Sequence, residues 1–122
     1  ARRILVVDDS MTVREAQRGI LTRLGFEVEL AVDGHDGWDH LQRGSYDLLI
    51  TDVDMPGMNG IELVQTVRST RRFDDLPIIV ISYKDDPAQR QIGLDAGAER
   101  YLSKHVINDP EFVETVRSLL PA

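Results

Sequence analysis

Short, unbroken apolar runs alternating with amphipathic segments constrain this chain more than any other feature. Residues 3–7 (RILVV), 47–51 (DLLIT) and 77–82 (PIIVIS) are almost wholly apolar, as strands covered on both faces must be. Residues 26–31 (FEVELA) and 100–103 (RYLS) alternate more, which predicts strands nearer the sheet edges. Between the runs the period changes. Residues 10–24 place Val13, Gln17, Ile20, Leu21 and Leu24 at helical spacing, with Ser10 as N-cap and Gly25 just past the end. Residues 34–43 hold Trp38 and Leu41, a pattern weakened by Gly34 and Gly37. Helices are also predicted over 60–70, with Ile61, Val64 and Val67 on one face, and over 87–96, opened by Asp86-Pro87 and stopped by Gly97. Asp109-Pro110 opens the last, with Phe112, Val113, Val116, Leu119 and Leu120 as its stripe. Five strand–helix units with no repeat or linker predict one α/β domain over residues 1–122, built on a parallel sheet.

Composition narrows the function. A chain of 122 residues with 42% hydrophobic side chains can fill one core. The absence of cysteine removes disulfides, zinc fingers and thiol nucleophiles, and suits a reducing compartment, with the cytoplasm the expected location. No run approaches the roughly 18 apolar residues of a membrane span, so no membrane insertion is expected. A formal charge of −7 works against direct binding to nucleic acid. The Arg68, Arg71, Arg72 cluster reads as a solvated loop, and His35, His40 and His105 lack metal-ligand spacing.

In open α/β sheets, ligands bind beyond the carboxyl ends of the strands. Here those ends are Asp8 and Asp9, Asp52, Ser82 and Lys104. Three converging carboxylates repel one another unless a cation joins them, and a hard divalent ion prefers oxygen ligands, so Mg²⁺ is the expected guest. Bare acids also exclude a flavin phosphate. With the metal bound, Lys104 and Ser82 can hold the oxygens of a transferring phosphoryl group while a carboxylate attacks in line.

At these residues the sequence resembles the receiver domain of bacterial response regulators, through "ILVVDDS", "LLITDVDMPGMNG", "PIIVIS" and "AGAERYLSK" in order. The resemblance implies a doubly wound (βα)5 fold with a five-stranded sheet in the flavodoxin-like order 2-1-3-4-5. It implies Asp52 as phosphoacceptor from a histidine kinase, with Asp8, Asp9, Asp52 and the Asp54 backbone carbonyl on the Mg²⁺. Ser82 looks like the switch hydroxyl, Lys104 like the phosphate-pairing lysine and Tyr101 like the switch aromatic. Met55, Pro56 and Gly60 look like the turn that shapes the loop. Such a domain catalyses its own phosphotransfer and dephosphorylation without being a conventional enzyme. Its output partner is a downstream protein or a fused domain, and a weak dimer is allowed for.

Three departures from the family pattern stand out. His105 replaces the usual proline after the lysine, and a cis bond before a non-proline costs roughly 2.5–4 kcal/mol, so the following loop is expected to differ. Tyr83 replaces a small residue and is expected to fold over the Asp52 pocket against the Met55 side, so that Tyr83→Ala would speed both phosphorylation and its loss. Asp54 and Lys84 flank the path of hydrolytic water and are expected to pair. The "SYKD" stretch and the missing Lys-Pro also resemble receivers fused to chemotaxis-type hybrid histidine kinases. Competing readings are a haloacid-dehalogenase-like phosphatase using Asp52 and Asp54, and a non-phosphorylated docking module. Asp9 alone also suits a helix cap.

Overall fold

The computed structural model describes residues 1–120. Five strands, β1 (Arg3–Val7), β2 (Glu27–Ala31), β3 (Leu48–Asp52), β4 (Ile78–Ser82) and β5 (Arg100–Ser103), alternate with five α-helices. The helices are α1 (Met11–Arg23), α2 (Gly34–Arg43), α3 (Gly60–Arg68), α4 (Pro87–Ala96) and α5 (Pro110–Leu119). All neighbouring strands pair in parallel, in the order β2-β1-β3-β4-β5. The two alternating runs are the edge strands, as their sequences predict.

The unbroken apolar runs divide between two cores. Leu5, Val7, Leu49, Ile78 and Val80 face one layer with Leu41 of α2 and Leu63, Val64 and Val67 of α3. Ile4, Val6, Leu48, Ile50, Ile79 and Ile81 face the other, with Leu21 of α1 and Phe112 and Val116 of α5. Each fully buried aliphatic side chain contributes about 1.5–3 kcal/mol by leaving water. Burial on both faces is therefore what holds the three central strands in register.

Local capping sets the helix ends. Ser10 accepts the Val13 N–H at 3.3 Å and is the α1 cap, so Asp9 is free of that role. Asn59 and Glu62 form a reciprocal capping box at α3. That helix stops at Arg68, short of the predicted 70, because residues 71–73 form a separate 3₁₀ turn carrying buried Phe73. The glycines that weaken α2 on propensity are required by packing: a Cβ at Gly37 would lie 2.8 Å from Val7 Cγ2. No described helix is long and apolar enough to cross a membrane.

Two of the three clustered arginines are tied back to the fold, while Arg71 stays exposed as the sequence suggests. Arg68 donates to the carbonyls of Gly97 and Phe73 at 2.9 and 3.0 Å and forms a two-pronged pair with Glu99. Arg72 reaches the carbonyls of Gln42 and Gly44 and lies 5.0 Å from the centroid of the Phe73 ring.

Candidate functional site

β1 and β3 are adjacent in the sheet, so their carboxyl ends bring acids from two distant parts of the chain together. Asp8 follows β1, is fully buried, and its Oδ1 accepts the Ser10 N–H at 2.8 Å. Asp9 is exposed beside it. Asp52 is the last residue of β3 rather than the first beyond it, and is 1% exposed. Carboxylate oxygens of Asp8, Asp9 and Asp52 lie within 4.8 Å of one another.

Lys104, immediately after β5, extends its ammonium to this cluster, 2.9 Å from Asp52 Oδ1 and 3.0 Å from Asp8 Oδ2. Among the described residues Asp8 Oδ2 has only this ion pair, and Asp52 Oδ2 is buried without a hydrogen-bond partner. Burial pushes the Asp52 carboxyl up to about 6; Lys104 pulls it down, and Asp8 adds repulsion. Burial also works against the charge on Lys104, but Asp52 and Asp8 outweigh it and hold the amine above its ordinary value.

The donor set suits a hard cation. Buried carboxylate oxygens without hydrogen-bond partners, on two acids that share one ammonium with an exposed third acid beside them, are an incomplete charge arrangement that a divalent ion would complete. The acid pocket is tightly built: a Cβ at Gly60 would collide with the Asp52 carbonyl oxygen, so only glycine lets α3 begin there. Arg14 of α1 braces the other side, donating to the Asp8 carbonyl at 2.7 Å. Sequence reading missed Arg14; its only signal is a position on the first turn of the helix that follows Asp8.

The remaining predicted residues line the same rim. Ser82 ends β4, fully buried, with its Oγ 3.4 Å from Asp54 Oδ2 and accepting the Lys84 N–H at 3.0 Å. Lys84 Nζ lies 3.6 Å from Asp54 Oδ1, the expected pairing, with both side chains more than half exposed. Tyr101 is 6% exposed, turned inward beside Gly93, and its phenol donates to the Lys84 carbonyl. Tyr83 differs from expectation. The residue is 56% exposed and its ring packs beside His105 and the Lys104 ammonium, where the sequence reading places it against Met55. No peptide bond in the described chain is cis, including that between Lys104 and His105.

An open parallel sheet with three acids, a lysine and a hydroxyl on its carboxyl rim defines a narrow class, and the comparisons state it. Residues 4–117 match the family described as "Response regulator receiver domain". The chain is 44% identical over 118 residues to the response regulator MprA of Mycobacterium avium, covering 97% of this chain and 50% of that protein. It thus spans about half the length of that relative. Among solved structures it resembles the response regulator TrrA of Thermotoga maritima in complex with Mg(2+)-BeF, with a TM-score of 0.85, 32% identity and coverage of 98% and 99% of the two chains. It also resembles the receiver domain of a signal transduction histidine kinase from Syntrophus aciditrophicus, with a TM-score of 0.90, 30% identity and coverage of 98% and 90%. The chain belongs to the response regulator receiver family and is a receiver domain of two-component signal transduction, with Asp8, Asp9 and Asp52 as its acidic pocket. The match over nearly the whole chain sets the haloacid-dehalogenase reading aside.

Proposed function

We propose that Asp52 accepts a phosphoryl group from a histidine kinase, with Mg²⁺ bound by Asp8, Asp9, Asp52 and the Asp54 carbonyl. The observation that carries this is the Asp52 carboxylate itself, buried at the end of the central strand with one oxygen on Lys104 and the other unpartnered. When bound, the metal would neutralise the acids and draw off charge from the transferring oxygens. An Asp52 oxygen forms the new bond to phosphorus as the bond from phosphorus to the donor breaks, giving an acyl phosphate. Lys104 moves from pairing two carboxylates to pairing the phosphoryl oxygens. Ser82, whose hydroxyl now faces Asp54, turns to the phosphoryl group, and that exchange is the switch. The Lys84 carbonyl binds the Tyr101 phenol and the Lys84 N–H binds Ser82, so the loop couples the two switch residues directly.

Asp54 and Lys84 are proposed to modulate hydrolysis from the rim. We place the domain in the cytoplasm, with a downstream protein or fused domain as its output partner. The hybrid-kinase parentage rests on the "SYKD" stretch and the likeness to the Syntrophus receiver. The identity to MprA favours a response regulator instead.

Incubation with acetyl phosphate and Mg²⁺ followed by intact-mass measurement tests the assignment. One phosphoryl group should be gained, with none in Asp52→Asn or in EDTA. Undiminished labelling of the variant would place the acceptor elsewhere.

A further inference from the structure

Two departures of this chain from the receiver pattern, Tyr83 after the switch hydroxyl and His105 after the lysine, are distant in sequence and meet in space. Their ring centroids are 5.0 Å apart and their planes inclined by 55°. Between them in function is Lys104, whose ammonium lies 5.1 Å from the Tyr83 ring centroid. That is inside the roughly 6 Å within which an aromatic face attracts a cation. The ammonium therefore has two carboxylates, Asp52 and Asp8, and one aromatic ring around it. The Lys104 side chain is only 6% exposed although Tyr83 itself is largely in solvent. The His105 N–H donates to Ser103 Oγ at 3.1 Å, a bond that proline cannot make, and this turn brings the imidazole to the Tyr83 ring.

We propose that Tyr83, backed by His105, is a positioning residue whose aromatic face holds the Lys104 ammonium toward Asp52 and screens it from water. The effect on phosphorylation rests on Lys104 acting as the partner of the phosphoryl oxygens; the seat itself is a property of the resting chain. It reverses the sign expected of a ring lying over the Asp52 pocket. A covering ring would be removed to advantage, whereas loss of a seat frees Lys104 and slows phosphoryl transfer. The phenol hydroxyl takes no part, so phenylalanine preserves the seat and leucine does not.

The chain has just two lysines, Lys84 and Lys104, which makes the seat measurable without any phosphorylation. Trace labelling with acetic anhydride in EDTA, read by peptide mass spectrometry and normalised to the urea-unfolded chain, reports the reactivity of each amine. Lys104 should be protected in the parent and in Tyr83→Phe, and about fivefold more reactive in Tyr83→Leu, the factor that a cation–π contact near 1 kcal/mol supplies. His105→Ala should raise it by a smaller factor. Initial rates with acetyl phosphate should fall in Tyr83→Leu and recover in Tyr83→Phe. Equal Lys104 labelling in the parent and Tyr83→Leu, or Tyr83→Phe behaving as leucine does, overturns the proposal. Failure of the parent to take up phosphoryl groups would count against the acceptor assignment alone, with the labelling ratio still deciding the seat.

Discussion

The two ends of one sheet handle charge in opposite ways. At the amino ends of the strands the charges that lie against the fold have matched partners. Arg3 binds Glu29 at 2.8 Å, the Ser45 carbonyl at 3.0 Å and the face of Tyr46. The Tyr46 phenol donates to Glu29 and, through burial first and that pairing second, is pushed up to about 12. Arg68 ties the end of α3 to Glu99, whose Oε1 in turn accepts the Ile78 N–H at 2.6 Å. At the carboxyl ends three acids cluster around one ammonium that pairs with only two of them, and the central carboxylate is raised to about 6. The first end spends its charges on holding the chain together. The second keeps an uncompensated charge that only a ligand can relieve, and that is where the receiver's chemistry belongs.

The largest test strikes the matched end. Arg68→Ala removes hydrogen bonds to two carbonyls and leaves Glu99 without its cation, which should cost about 3 kcal/mol in denaturant unfolding. Mg²⁺ affinity should be unaltered. A variant as stable as the parent would mean that the two ends do not differ in the way described.

The next effect reads the unmatched end through pH. The folded Asp52 pKa of about 6 lies above the roughly 3.9 of an unfolded aspartate, so between these values the folded state binds the extra proton. Metal-free stability from Asp52 should therefore be greatest below about pH 4 and decline by about 3 kcal/mol as pH rises from about 4 through about 6. Asp52→Asn should remove that decline. A parent curve that instead gains stability across the same window, relative to the variant, would contradict the raised pKa.

Asp9→Asn sharpens the contrast further. Asp9 is exposed and does not cap α1, so the change should weaken Mg²⁺ binding by about tenfold while leaving the melting temperature equal or higher. Titration calorimetry beside a thermal melt separates the outcomes, and a lower melting temperature with intact affinity would return Asp9 to a structural role. The smallest effect belongs to Lys84→Ala. Its pair with Asp54 is solvent-exposed, so stability should shift by no more than about 0.5 kcal/mol, and any change in phosphoryl lifetime would reflect the site rather than the fold.

Periodicity alone determined the five strands, five helices and parallel class of this protein, because a strand buried on both faces and a helix buried on one leave different local patterns. The Ser10 and Asp86 caps and the acid-bearing strand ends were legible for the same reason: these residues act within a few positions of where they stand. The Asp33 and Asn59 caps went unread, and Asp109 opens α5 without a side-chain cap. The motif order then identified the receiver family and its strand order. Only tertiary structure decided that Arg68 closes on Glu99, that Gly37 admits Val7, that Arg14 braces Asp8 and that Tyr83 meets His105 beside Lys104. These contacts join elements that touch only once the sheet has assembled. Long, flexible arginines and a half-exposed tyrosine have several partners within reach, and the choice among them is made by packing and charge across the finished fold.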